Sequence, residues 1–147
     1  MCCARLPGFG EANASPNPLK VFQTGHNNLM GIWLEAEIMF TAGLDGHVKV
    51  WDGQGTQLYD HVCLGQQGGE SGVTALAVVP DQADGVMVTA CQDKAIKLWQ
   101  MPKFSKRGIL GYKAGHTDVV RCIAKGPGNS FFTGSMDKTI CVWEMMS

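Results

Sequence analysis

Apolar residues in this chain fall in short runs broken by glycine, aspartate and asparagine, with no sustained apolar stripe of period 3.6. The clearest stretch is Phe131 to Glu144, FFTGSMDKTICVWE. Its two apolar runs flank the polar turn Met136–Asp137–Lys138, a pattern that predicts a β-hairpin. The same pattern recurs at Met39–Asp52, MFTAGLDGHVKVWD, and at Met87–Gln100, MVTACQDKAIKLWQ. In all three a Thr stands four residues before an Asp, and a Trp six residues after it: Thr41/Asp45/Trp51, Thr89/Asp93/Trp99 and Thr133/Asp137/Trp143. Successive Trp positions lie 48 and 44 residues apart, so this is a repeat protein.

Around the hairpins the pattern predicts further short strands. Leu19–Gln23 and Leu29–Leu34 precede the first, and Thr56–Leu64 follows it after the break at Gly53–Gln54–Gly55. A Gly/Gln-rich loop at Gly65–Gly72 leads to Val73–Val79, a polar turn at Pro80–Gly85, and the strands Val86–Cys91 and Ala95–Trp99. Pro102 to Arg107 reads as a basic connection to a strand near Gly108–Lys113, and Val119–Ala124 opens the third unit. Residues 1–18, with Pro7, Pro16 and Pro18, read as a disordered leader. The expected fold is all-β, with four-stranded antiparallel units over 19–147, at about 24–64, 65–113 and 114–147, at the spacing of propeller blades.

With 147 residues, 45% of them apolar, the chain has room for one domain with a sizeable core. No run reaches the ~18 apolar residues of a membrane span, and the N-terminus lacks the apolar centre of a signal peptide; an intracellular place, cytoplasm or nucleus, is expected. Of six cysteines, Cys91, Cys122 and Cys141 sit in predicted strands, where free Cys behaves as a small hydrophobe. Cys2 and Cys3 are a bare pair in the leader. No CxxC pair or Cys/His cluster at zinc spacing occurs, and no metal or cofactor is expected.

The net charge of −1 hides an asymmetry. Residues 1–93 carry three basic and ten acidic side chains, and residues 94–147 nine and three. Lys94, Lys97, Lys103, Lys106, Arg107, Lys113, Arg121 and Lys125 face only Asp118 in that interval. They form a candidate surface for an anionic partner such as RNA, or else a solvated rim. Aromatic residues among them are thin, with Phe104 and Tyr112 only, so base stacking has little support. His47 and His61 are expected at the surface.

Gly25–His26 with Trp51–Asp52, and Gly115–His116 with Trp143–Glu144, resemble the GH and WD signatures of WD40 repeats over roughly residues 19–144. The segments MPKFSKRGIL (Met101–Leu110) and GPGNSFFTG (Gly126–Gly134) resemble the last blades of plant-type proteins that join CCCH zinc fingers to a C-terminal WD propeller. No fingers occur here to carry their RNA-binding role. The WD resemblance implies hydrogen-bonded tetrads, His26/Thr41/Asp45/Trp51 and His116/Thr133/Asp137/Trp143. Side-chain chemistry agrees, because an indole N–H only donates, a Thr hydroxyl donates and accepts, and a His bridges hydroxyl to carboxylate. A Thr–His–Asp trio also suggests catalysis. Its repetition in separate units suits scaffolding, where a single active site would need it once.

The second unit, with Thr89, Asp93 and Trp99, departs from the pattern. Alignment puts Glu70 where His116 stands, so two acids are expected to crowd one site. That blade is expected to be the least rigid, and Glu70→His to raise the melting temperature. Three blades are too few for a closed propeller of about four to eight. The chain therefore reads as a fragment of a longer protein, or as one that completes itself by pairing. In the WD family the N-terminal strand completes the last blade; two copies joined head to tail would exchange Leu19–Gln23 and give six blades. The expected function is a non-catalytic scaffold for proteins or peptides, with RNA association as the alternative.

Overall fold

The computed structural model of the chain describes residues 16–65, 68–81, 84–110 and 115–146. Within them, strands form three antiparallel sheets. The first is β1 (Leu29–Glu35), β2 (Ile38–Gly43), β3 (His47–Trp51) and β4 (Gln57–Val62), in that order. The second is β5 (Val73–Val79), β6 (Val86–Cys91), β7 (Ile96–Gln100) and β8 (Ser105–Leu110). The third holds β9 (Val120–Lys125), β10 (Ser130–Ser135) and β11 (Ile140–Glu144), three strands among the described residues. These are propeller blades in an open arc, with no helix among the described residues. Among the described residues no helix is therefore long and apolar enough to cross a membrane.

The three central hairpins share one turn device. Asp45 accepts from the His47 amide at 3.2 Å, Asp93 from the Ala95 amide at 3.1 Å and Asp137 from the Thr139 amide at 2.9 Å. A short carboxylate bonded to the amide two residues on fixes each turn. The next residue is then left-handed in every repeat: Gly46 at φ 81°, Lys94 at 69° and Lys138 at 72°. Only the first repeat has the glycine that accepts this conformation without strain. Lys138→Gly is therefore expected to stabilise the protein by about 0.5–1 kcal/mol, the relief of left-handed strain less the added freedom of the unfolded chain. A urea midpoint that rises at constant slope would show it, and a lower midpoint would refute it.

Two apolar layers join the sheets. Phe40, Val48 and Val50 of the first sheet pack against Leu76, Met87 and Trp99 of the second. On its other side the second sheet meets the third, through Val88, Ile96 and Leu98 against Phe131 and Val120. The middle sheet is thus buried on both faces, and β5 and β6 are buried at every position. This replaces the expectation that the middle blade is the loosest, since it has the most apolar contact. A stacked pair, Tyr59 on Phe104 with ring centres 4.7 Å apart, ties β4 to the loop before β8.

Some expected elements differ. Leu19–Gln23 forms no strand and pairs with no sheet; Phe22 instead lies against Trp51, ring centres 5.5 Å apart. The basic connection Pro102–Arg107 is shorter than expected, since β8 begins at Ser105, paired with Gln100. Of the expected leader, residues 1–15, with Cys2 and Cys3, lie outside the described residues. His61 is half-buried rather than a surface residue, its ring edge-on to Trp99 at 4.3 Å, and burial pushes its pKa down. His47 holds Asp60 at 2.7 Å on a partly exposed strand.

Candidate functional site

Each hairpin places its Thr and Trp on the same face. In β2 and β3 the pleat sets Thr41 and Trp51 together, and the Trp51 indole donates to Thr41 Oγ1 at 2.8 Å. His26, from the segment before β1, reaches over them. Its Nε2 lies 2.9 Å from Thr41 Oγ1, and its Nδ1 lies 3.1 Å from both Asp45 oxygens. The third sheet repeats this. Trp143 donates to Thr133 Oγ1 at 2.8 Å, Thr133 Oγ1 is 2.7 Å from His116 Nε2, and His116 Nδ1 is 3.0 Å from Asp137.

The donors order themselves. The indole can only donate, so Thr accepts from Trp; with the Thr hydroxyl donating to His Nε2, Nδ1–H is left to donate to Asp. Both His side chains are buried, so each relay satisfies groups that would otherwise be desolvated without partners. Gly43 makes room for the first, because a Cβ there would lie 2.8 Å from Asp45 Oδ1 and from His26 Nδ1.

The carboxylates carry the electrostatic signature. Partial burial pushes Asp45 up, but the bonds from His26 and the His47 amide outweigh it and hold the group below the usual range. The hydroxyl of Thr139, then the amides of Thr117 and Thr139 and the ring of His116, hold Asp137 far below it. A carboxyl depressed on folding contributes stability above its unfolded pKa and loses that stability as pH falls through the folded value. Acid is therefore expected to destabilise the protein progressively below about pH 4, the unfolded carboxyl range. Asp137→Asn should flatten that limb; an unchanged acid limb in urea titrations from pH 5 to pH 2 would refute this.

The second sheet solves the same problem differently. Trp99 donates to Thr89 Oγ1 at 2.9 Å, as in the others. Among the described residues, no histidine bridges Thr89 to Asp93. Instead Lys97, only 1% exposed, extends its Nζ to Asp93 Oδ2 at 3.0 Å and to the Leu64 carbonyl. Glu70 is exposed, and its backbone bridges Leu64, so no second acid crowds the site. This corrects both the expected pair of acids and the expected gain from Glu70→His, because the gap is already filled. Sequence reasoning missed Lys97 in this role, although a signal existed. It lies two residues before Trp99 and opposite Thr89 in the sheet register, as Lys49 lies opposite Thr41 and Cys141 opposite Thr133.

The expected anionic-partner surface does not converge. Lys97 is buried and belongs to the interior. Lys94 and Lys103 are exposed beyond opposite ends of β7, whose five residues span roughly 17 Å at strand rise. Arg107, on β8 beside exposed Lys106, is engaged by Asp81, by Gln100 Oε1 at 3.0 Å and by the Met146 carbonyl at 3.3 Å. Arg121 and Lys125 are exposed on β9, and Lys113 and Tyr112 lie outside the described residues. Phe104 is buried against Tyr59 and His61 and has no face for a base.

The cysteines divide by position. Cys63 and Cys91 are buried and free; burial, then the neighbouring Cys91, pushes the Cys63 thiol up to about 12, and burial pushes Cys91 up as well. Such thiols are inert nucleophiles. Cys122 is exposed, contrary to the interior place expected for it, because its face of the third sheet is uncovered. Among the described residues, no group of three His, Cys, Asp or Glu is placed to hold a metal ion.

The chain matches the family described as WD domain, G-beta repeat over residues 16–52, 61–100 and 109–144. It is 37% identical over 76 residues to the zinc finger CCCH domain-containing protein 48 of Arabidopsis thaliana, a match covering 51% of this chain and 17% of that protein. A CCR4-associated factor 4 homolog of Candida glabrata is 31% identical over 114 residues, covering 73% of this chain and 18% of the relative. An uncharacterized WD repeat-containing protein of Schizosaccharomyces pombe is 28% identical over 126 residues, covering 78% and 22%. The chain spans about a fifth of the length of these relatives. Three family matches, on three sheets that repeat one Trp–Thr hydrogen bond, place this chain in the WD40-repeat family.

Proposed function

We infer that this chain is a non-catalytic scaffold whose blades dock other proteins or peptides. The observation that carries the reading is where its chemistry is spent. The Thr, His and Asp residues that could form a hydrolytic trio are bonded to one another inside separate blades, each closed by a Trp. The surface left for recognition is apolar, with Ile32, Leu34, Ile140 and Val142 all exposed. WD40 repeats generally serve as such scaffolds. The four free cysteines of the described residues suit a reducing compartment, so we place the protein inside the cell, in cytoplasm or nucleus.

A photo-crosslinking side chain at Val142, compared with one at exposed Asp84, tests the reading in a cell extract. Adducts with a defined protein at Val142, lost on Ile140→Glu, are expected; equal capture at both positions would overturn it.

Association with RNA is the second reading, favoured by the exposed Lys94, Lys103, Lys106, Arg121 and Lys125 and by relatives named for CCCH zinc fingers. Binding of labelled single-stranded RNA across a salt series separates the two. Affinity that persists at moderate salt would support RNA recognition; a steep loss reports phosphate attraction alone.

A further inference from the structure

The two end faces of the arc carry the positions equivalent to the two sides of a junction that this chain makes twice internally. Each blade has one face bearing its Thr–Trp pair and one opposite face. At both internal junctions the opposite face of one blade packs on the Thr–Trp face of the next. The opposite face is built from equivalent positions in each blade. Val48 and Val50 in the first correspond to Ile96 and Leu98 in the second and to Ile140 and Val142 in the third. The first four are at most 6% exposed, while Ile140 is 74% and Val142 65% exposed.

The other end mirrors this. Ile32 and Leu34 pair with Thr41 and Met39 in the first sheet, as Leu76 and Val78 pair with Thr89 and Met87 in the second. Leu76 and Val78 are 5% and 6% exposed, but Ile32 and Leu34 are 61% and 69% exposed. Among the described residues, neither end face is covered by a blade.

The segment Leu19–Gln23 fixes what fits there. At the first junction His61, from the outer strand of the preceding blade, lies against Trp99 with ring centres 4.3 Å apart. At the free end Phe22 lies against Trp51 at 5.5 Å. Phe22 thus holds the place of an outer-strand residue of a preceding blade, yet its segment pairs with no sheet, and Leu19 and Val21 are exposed. The third sheet has the matching gap. β3 and β7 are paired outward by β4 and β8, while β11 has no outer neighbour among the described residues.

We propose that a second copy of this chain docks head to tail, setting Ile140 and Val142 of one copy against Ile32 and Leu34 of the other. Leu19–Gln23 then adds to β11 across the junction as the fourth strand. Two such junctions close six blades, within the range of propellers. This deepens the scaffold reading by naming one partner of the end faces.

Light scattering on the eluting protein over a range of concentrations tests it. The expected mass is that of two chains of 15.8 kDa, falling to one chain on dilution. Ile140→Glu and Ile32→Glu each change an exposed side chain, so folding should survive, checked by circular dichroism. Each variant alone should be a single chain, since each keeps one sound half of the junction. Mixed, they should associate, because the sound halves are complementary. A single-chain mass for the unmodified protein, a variant that still associates alone, or a mixture that fails to associate would each overturn the proposal. A single chain that still captures a defined protein at Val142 would leave the scaffold reading standing.

Discussion

Lys97→Met is expected to lower stability by about 2–3 kcal/mol, the larger part of what breaking a buried ion pair costs, reduced because Asp93 is partly open to water. The two side chains have similar volume, so the loss is not a cavity. It arises because Asp93 and the Leu64 carbonyl lose the ammonium that bonds both. For a domain of this size the melting temperature should fall by roughly 6–10 °C. Removing the orphaned charge as well, in Lys97→Met with Asp93→Asn, should recover part of the loss. An unchanged melting temperature in Lys97→Met would mean that the lysine is not the middle blade's substitute for histidine.

Thr133→Val is the companion case and isolates the hydroxyl. Thr133 is fully buried, and valine keeps its shape. The indole N–H of Trp143 and the Nε2 of His116 then lose their shared partner. Leaving a buried polar group unpaired costs about 1–3 kcal/mol, so about 2–3 kcal/mol is expected for two groups, one of them only partly buried. Thr133→Ser retains the hydroxyl and should cost less. Thermal melts of the pair decide the matter: Val no worse than Ser would show that the relay contributes little.

Much of this was legible along the chain, for a physical reason. The turn Asp, the strand Thr and the closing Trp each make a bond to a residue at fixed separation, so a fixed spacing follows and repeats. The hairpins were therefore readable at Phe131–Glu144 and at its two counterparts. Lys97 was not readable by aligning segment starts, because the substitute for His116 comes from a different strand. Only the pairing of Thr89 with Lys97 across β6 and β7 brings the ammonium to Asp93.

Composition misled in two places. Leu19–Gln23 has the residues of a strand, but a strand also needs an edge, and that depends on another sheet. The basic count over Lys94–Lys125 joined residues adjacent in sequence that the blade separates. A strand running between Lys94 and Lys103 carries them to opposite ends, and the same fold turns Lys97 inward.

In the first and third blades the polar sets are closed relays, Trp to Thr to His to Asp, while Lys97 takes the Asp in the middle one. Long-range nitrogen–proton NMR correlation on the imidazoles of His26 and His116 tests this most directly, because a Thr hydroxyl that donates to Nε2 leaves the ring proton on Nδ1. The prediction is a proton on Nδ1, facing Asp45 and Asp137, with Nε2 accepting from Thr41 and Thr133. A proton on Nε2 in either ring, leaving a bare Nδ1 against the carboxylate, would contradict it.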